Sequence, residues 1–166
     1  FDQQQNLCFF VHQKAFKLKE AITVYRDEQK QHPVLTIQAR SIMDFSGTYD
    51  VTDVQTGEVV GALKRQGMKS MLRDEWLILD TQGAQIGTVI EDSMALALVR
   101  RFLSNLVPQG FTVTIGETEA ATFQQNFNPF VLKITLDYSV DQENLLDRRL
   151  GLAAAILLCA IEGRQG

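Results

Sequence analysis

The sequence predicts a mainly β fold with some α: an antiparallel β-barrel of about twelve strands enclosing a hydrophobic C-terminal helix, with one amphipathic helix packed outside. Three observations carry this expectation. Short segments rich in Val, Ile, Thr and aromatics recur with turn residues between them from Cys8 to about Ile90. The period then becomes helical between Met94 and Leu106. Finally, the run "RRLGLAAAILLCAIEGR", Arg148 to Arg164, is apolar on every side.

At 166 residues the whole chain, 1–166, is expected to be one domain with one core. Apolar residues make up 45% and charged residues 22%, a balance far from that of disordered chains, so folding without a partner is expected. The formal net charge is −4, which gives no general attraction to phosphate backbones, and a nucleic-acid partner is not expected. Cys8 and Cys159 are two and far apart. They encode neither a disulfide framework nor a Cys-x-x-Cys site, and reduced thiols in a cytoplasmic protein are expected. The start "FDQQQNLCFF" has no charged n-region and no long apolar h-region, so no signal peptide is read there; the missing initiator Met suggests a trimmed start.

The strands follow in order. "LCFFVH", "AITVYRD", "VLTIQA", "GTYDVTD", "EVVGALKR", "EWLILD" and "QIGTVIE" fill the first half. Within them "YDVTDVQTGEVVG" parallels "WLILDTQGAQIG": an aromatic-led strand ends at an Asp (Asp53, Asp80), a turn Gly follows (Gly57, Gly83), and a second strand carries a Gly (Gly61, Gly87). Asp bonds to its own turn backbone and Gly supplies positive φ, so these are two hairpins. The strand glycines mark bulges or bends. "EDSMALALVRRFLSNL" then offers Asp92 or Ser93 as N-cap and Leu96, Val99, Leu103 and Leu106 at helical spacing, until Pro108 and Gly110 stop it. "FTVTIG", "AATFQQNF" and "FVLKITLDYSV" resume the β pattern.

The terminal run is weighed as a span or a core helix. Leu145 to Ile161 as a helix reaches about 25 Å, short of the roughly 30 Å of a hydrocarbon core. Charges stand at both ends, leaving only Leu150 to Ile161 uncharged. No transmembrane span is expected; a central helix over about 143–162 is. A sheet of about twelve strands tends to curl or close, and a barrel that wide needs something to enclose.

These hairpins, with "VYRDEQK", "YDVTDVQTGE" and the helix entry "LDRRL", resemble the phospholipid scramblase, LURP-one-related and tubby C-terminal superfamily. "MLRDEWLILDTQG" and "FNPFVLKITLD" look closest to its bacterial scramblase-like members. The resemblance covers about Leu7 to Gly163 and implies a twelve-stranded barrel around a C-terminal helix. It also implies lipid-headgroup binding through basic side chains, as in tubby-like members. The nearest feature here is "LKRQGMKSMLRDEW", with Lys64, Arg65, Lys69 and Arg73 within ten residues. Read on its own, that stretch is more simply a solvated turn pairing with Asp74 and Glu75. Scramblase-type members carry an acidic calcium-binding segment before the helix. Here Asp137, Ser139, Asp141 and Glu143 alternate, but Gln142 replaces the turn Gly and Arg148 the bidentate Glu. The residues themselves read more simply as Asp137 ending a strand, Asp141 capping the helix and Glu143 favouring its dipole. Arg100 and Arg101 are read as solvent-facing residues of the outer helix.

No enzyme is expected and no cofactor is implied. Only His12 and His32 occur, and neither a Gly-x-Ser-x-Gly elbow nor a Gly-rich phosphate loop is present. The expected function is that of a cytoplasmic binding domain, peripheral at a membrane, taking an anionic phospholipid headgroup or a protein partner. The alternative is a membrane-anchored scramblase-like protein with Leu150 to Ile161 among acyl chains.

Overall fold

A computed structural model describes residues 1–12, 21–40, 47–66, 75–92, 109–126 and 133–162. Ten strands precede one helix: β1 Phe10–His12, β2 Ile22–Tyr25, β3 Pro33–Ala39, β4 Thr48–Asp53, β5 Val59–Arg65, β6 Glu75–Leu79, β7 Gln85–Glu91, β8 Gly110–Ile115, β9 Thr118–Gln125, β10 Ile134–Asp137 and α1 Arg148–Glu162. Each strand pairs antiparallel with the next, giving one meander in the order β1 to β10.

Three expectations are corrected. Among the described residues there are ten strands, not twelve, and each of the ten apolar segments quoted above supplies one. The sheet is not a closed barrel, because β1 and β10 do not pair with each other. Among the described residues these end strands are three and four residues long. The helix begins at Arg148, not near 143. Its N-cap is Asp147, whose carboxylate accepts the Arg149 N–H at 2.9 Å and whose carbonyl accepts the Gly151 N–H. The outer helix expected between Met94 and Leu106 lies outside the described residues.

The open sheet still curls tightly. Helix α1 touches β4 and β5 in the middle of the sheet order and β10 at its end, so the sheet bends around it. The inward side chains of β2 through β9 form one core with Leu150, Ala153, Leu157 and Leu158 of α1. Strand alternation explains the selection: Val24, Ile37, Val51, Leu63, Ile78, Val89, Val113 and Phe123 all fall on the inner face and are 0–1% exposed.

Bulges supply the bend. The pairings β2–β3, β4–β5, β6–β7 and β8–β9 each shift register beside the hairpin turn. In a meander those four turns share one end of the sheet, here the near end. A bulge bends its strand and strengthens the local twist, so four at one end coil that end hardest. The Asp-to-Gly turns are confirmed there. Asp53 accepts the N–H groups of Gln55 and Thr56, Asp80 those of Gln82 and Ala84, and Gly57 and Gly83 have φ of +73° and +86°. A third Asp turn, Asp27 accepting from Gln31 and His32, closes β2–β3.

Candidate functional site

Two ends of the sheet carry the charged chemistry, and they differ. The near end holds the bulged hairpin turns and the start of α1. Asp141 is buried there, and its carboxylate accepts the Leu145 and Leu146 N–H groups at 2.8 and 3.1 Å and Arg148 Nη1 at 2.9 Å. Burial pushes this carboxyl up, but those three donors outweigh it and hold it below its usual range. Arg148 also lies over the Tyr138 ring, 4.4 Å from its centroid. Burial pushes the Tyr138 phenol up to about 12.

Arg149 fastens the helix start to the sheet. Its Nη1 donates to Asp53 at 2.8 Å and its Nη2 to Asp147 at 2.7 Å. Those bonds from Arg149 are the main cause that lowers both carboxyls. Neither arginine's role was expected from the sequence, where the pair only marked the helix entry. The local contacts reach back two residues, from Arg149 to Asp147, and seven, from Arg148 to Asp141, but the bond to Asp53 spans 96 residues and has no local signature.

The four acidic-segment positions do not converge. Asp137 ends β10 as expected and accepts the Ser139 N–H at 2.8 Å, its carboxyl lowered by that residue's backbone and hydroxyl. Asp141 turns inward to the donors named above, so it caps the turn before α1 and not the helix itself. Glu143 is exposed. Among the described residues no three His, Cys, Asp or Glu side chains gather as a metal ion would need.

At the far end, β5 finishes with Lys64 and Arg65, the two described members of the basic cluster; Lys69 and Arg73 lie outside the described residues. Alternation sends the pair to opposite faces. Arg65 shares the inner face with Leu63 and pairs with buried Trp76, whereas Lys64 stands on the outer face. Tyr49 and Trp76 form the inner rim beside Arg65, ring centroids 6.0 Å apart. Arg40 on this end is committed to Asp50, at 2.7 Å.

The balance of charge is lopsided. Near-end carboxylates are Asp27, Glu28, Asp53, Glu58, Asp80, Glu117, Glu119, Asp137, Asp141, Glu143 and Asp147. The bases there are Arg26, Lys30, Arg148 and Arg149, and four minus eleven gives −7. The chain as a whole carries −4, so all its other residues sum to +3. An acidic pole therefore surrounds the helix start, and the positive excess belongs to the rest.

No curated protein and no solved structure matches this chain. A sequence model of the LURP-one-related family matches residues 7–159, a span that takes in all ten strands and most of α1. That match, together with a β meander bent around a C-terminal apolar helix, shows that the chain belongs to the LURP-one-related family, within the tubby-like superfamily.

Proposed function

We propose that the chain is a non-enzymatic binding domain that docks on anionic phospholipid headgroups at the cytoplasmic face of a membrane. The contact runs through the far end, with Lys64, Arg65, Lys69 and Arg73 meeting the phosphates. The observation that carries this reading is the charge polarity. With −7 on the near end, an anionic surface repels that end and favours approach of the opposite one, where β5 delivers Lys64 and Arg65. The opposite-face directions of these two residues suit a rim contact, in which an end of the sheet meets the surface, better than a contact through one sheet face.

A protein partner with an acidic segment is the second occupant the same cations would suit. The membrane-anchored alternative needs α1 among acyl chains. Against it, Leu150, Ala153 and Leu157 are buried by the sheet, and no described helix is long and apolar enough to cross a membrane.

Flotation with vesicles tests the proposal, comparing phosphatidylserine-containing with phosphatidylcholine-only membranes. At about 1 kcal/mol per cation, neutralising Lys64, Arg65, Lys69 and Arg73 to Gln weakens partitioning by roughly 10²- to 10³-fold. Added salt weakens the parent protein in the same direction. Binding that ignores lipid charge, or that survives the fourfold change, refutes the lipid reading.

A further inference from the structure

Among the described residues the sheet stays open between β1 and β10, and β10 presents an edge there. Its ladder to β9 fixes which backbone groups are free. Asn126 donates to the Lys133 carbonyl, which makes Lys133, and by alternation Thr135 and Asp137, the residues bonded to β9. The N–H and C=O groups of Ile134 and Leu136 therefore point outward, and β10 pairs with no strand but β9 among the described residues. The β9–β10 pairing has no bulge and β10 has no proline, so two of the usual guards of an edge are missing.

The side chains add a pattern. Ile134 and Leu136 are half-buried against the core, while Lys133, Thr135 and Asp137 are exposed. Lys133 and Asp137 form no ion pair among the described residues. Behind the edge, Leu152 and Ile156 of α1 are only partly buried. By helix spacing they fall between the directions of Arg148, held at Tyr138 just after β10, and Arg149, held at Asp53 of β4.

We infer that this edge binds an extended peptide as an added strand, antiparallel to β10. The occupant has the form cation, apolar, any residue, apolar, anion, read from its N-terminus. Direct cross-strand partners share a face, so its two apolar residues sit opposite Leu136 and Ile134, its cation opposite Asp137 and its anion opposite Lys133. Because outward backbone groups belong to Leu136 and Ile134, the peptide's apolar residues are also the ones that exchange backbone hydrogen bonds with β10. This surface is separate from the basic far end, and the inference does not rest on the lipid proposal.

The test uses the full chain and an acetylated, amidated peptide Lys-Val-Thr-Val-Glu, titrated by amide NMR. Binding shifts the Ile134 and Leu136 amides and slows their exchange. Methylating the backbone nitrogens of both Val residues weakens binding by about tenfold or more, while methylating that of Thr changes it by about twofold at most. Lys133→Glu weakens the peptide, and replacing the peptide's Glu by Lys restores it. Three results overturn the inference: no binding of the unmethylated peptide, equal effects of the two methylation patterns, or Ile134 and Leu136 amides already as protected as Thr135 in the free protein.

Discussion

Gly61 is where the bend of the sheet and the seat of the helix meet, and replacing it by Ala is the sharpest test of that geometry. Its φ is +154°, beside the register shift between Val51 and Thr52. A Cβ there would stand 2.5 Å from the Leu79 carbonyl oxygen and 3.2 Å from Leu150 Cδ1. The first partner is backbone of β6, so the strand itself has to move. Unfavourable backbone conformation costs about 1–3 kcal/mol and forced repacking about 1–3 more, together roughly 2–6 kcal/mol. The control is Gly57→Ala in the same hairpin. Gly57 has φ of +73° and nothing within 4 Å of its Cβ position, so only backbone strain of about 1–2 kcal/mol applies. At about 2–4 °C per kcal/mol for a chain of this size, Gly61→Ala lowers Tm by roughly 4–24 °C and Gly57→Ala by about 2–8 °C. Urea unfolding followed by circular dichroism gives both free energies. Adding Leu150→Ala to Gly61→Ala relieves the contact with α1 but not that with Leu79, so the double variant is less destabilised than the sum of the singles. If Gly61→Ala proves no worse than Gly57→Ala, the close approach of β5, β6 and α1 is wrong.

Two further predictions concern the helix start. Asp53 and Asp147 have carboxyls lowered chiefly by bonds from Arg149, so they stabilise the fold above their unfolded value of about 3.9 and lose that contribution as pH falls through the lower folded values. Arg149→Met therefore lowers the urea midpoint near neutral pH, and its gap from the parent narrows below about pH 4; a gap independent of pH would contradict the contact. Tyr138 behaves oppositely: burial raises its phenol to about 12, above the unfolded value near 10, so stability is intact below pH 10 and declines as pH rises to about 12. Roughly 2–3 kcal/mol is at stake. Tyrosinate absorbance follows this late step, and Tyr138→Phe removes both the step and the excess alkaline instability.

What was legible in the sequence is what local chemistry decides. The Asp53 and Asp80 turns were readable because Asp and Gly act within four residues, and the inner face of each strand because alternation has period two. The number of strands failed: the ten quoted segments are the ten strands, and the larger number lacked two segments of its own. Closure was illegible because it depends on whether β1 meets β10, a relation between residues more than a hundred apart that no local pattern states. The helix start was misread because two Asp residues precede it at plausible spacing. Only the folded turn, with Asn144 at φ +55°, shows that Asp141 points inward and Asp147 caps. At the candidate site, Lys64 and Arg65 look like a cluster as neighbours in sequence, yet a strand separates neighbours to opposite faces.

The helix that dominates the sequence thus shapes function indirectly. Its apolar side chains Leu150, Ala153, Leu157 and Leu158 join the core on the inner face of the sheet. Its two arginines engage Asp53, Asp141 and Asp147 but leave Glu28, Glu58, Asp80, Glu117, Glu119 and Glu143 without ion pairs among the described residues. The near end therefore keeps a negative field even though its best-placed bases are spent on fastening the helix. A polyanion meeting this protein is turned by that field before any contact forms, over a distance of about 8 Å at physiological salt. Removing near-end charge should then weaken orientation without altering the far-end cations Lys64 and Arg65. Polarity and contact are separable contributions, and it is the polarity that the helix anchor leaves exposed.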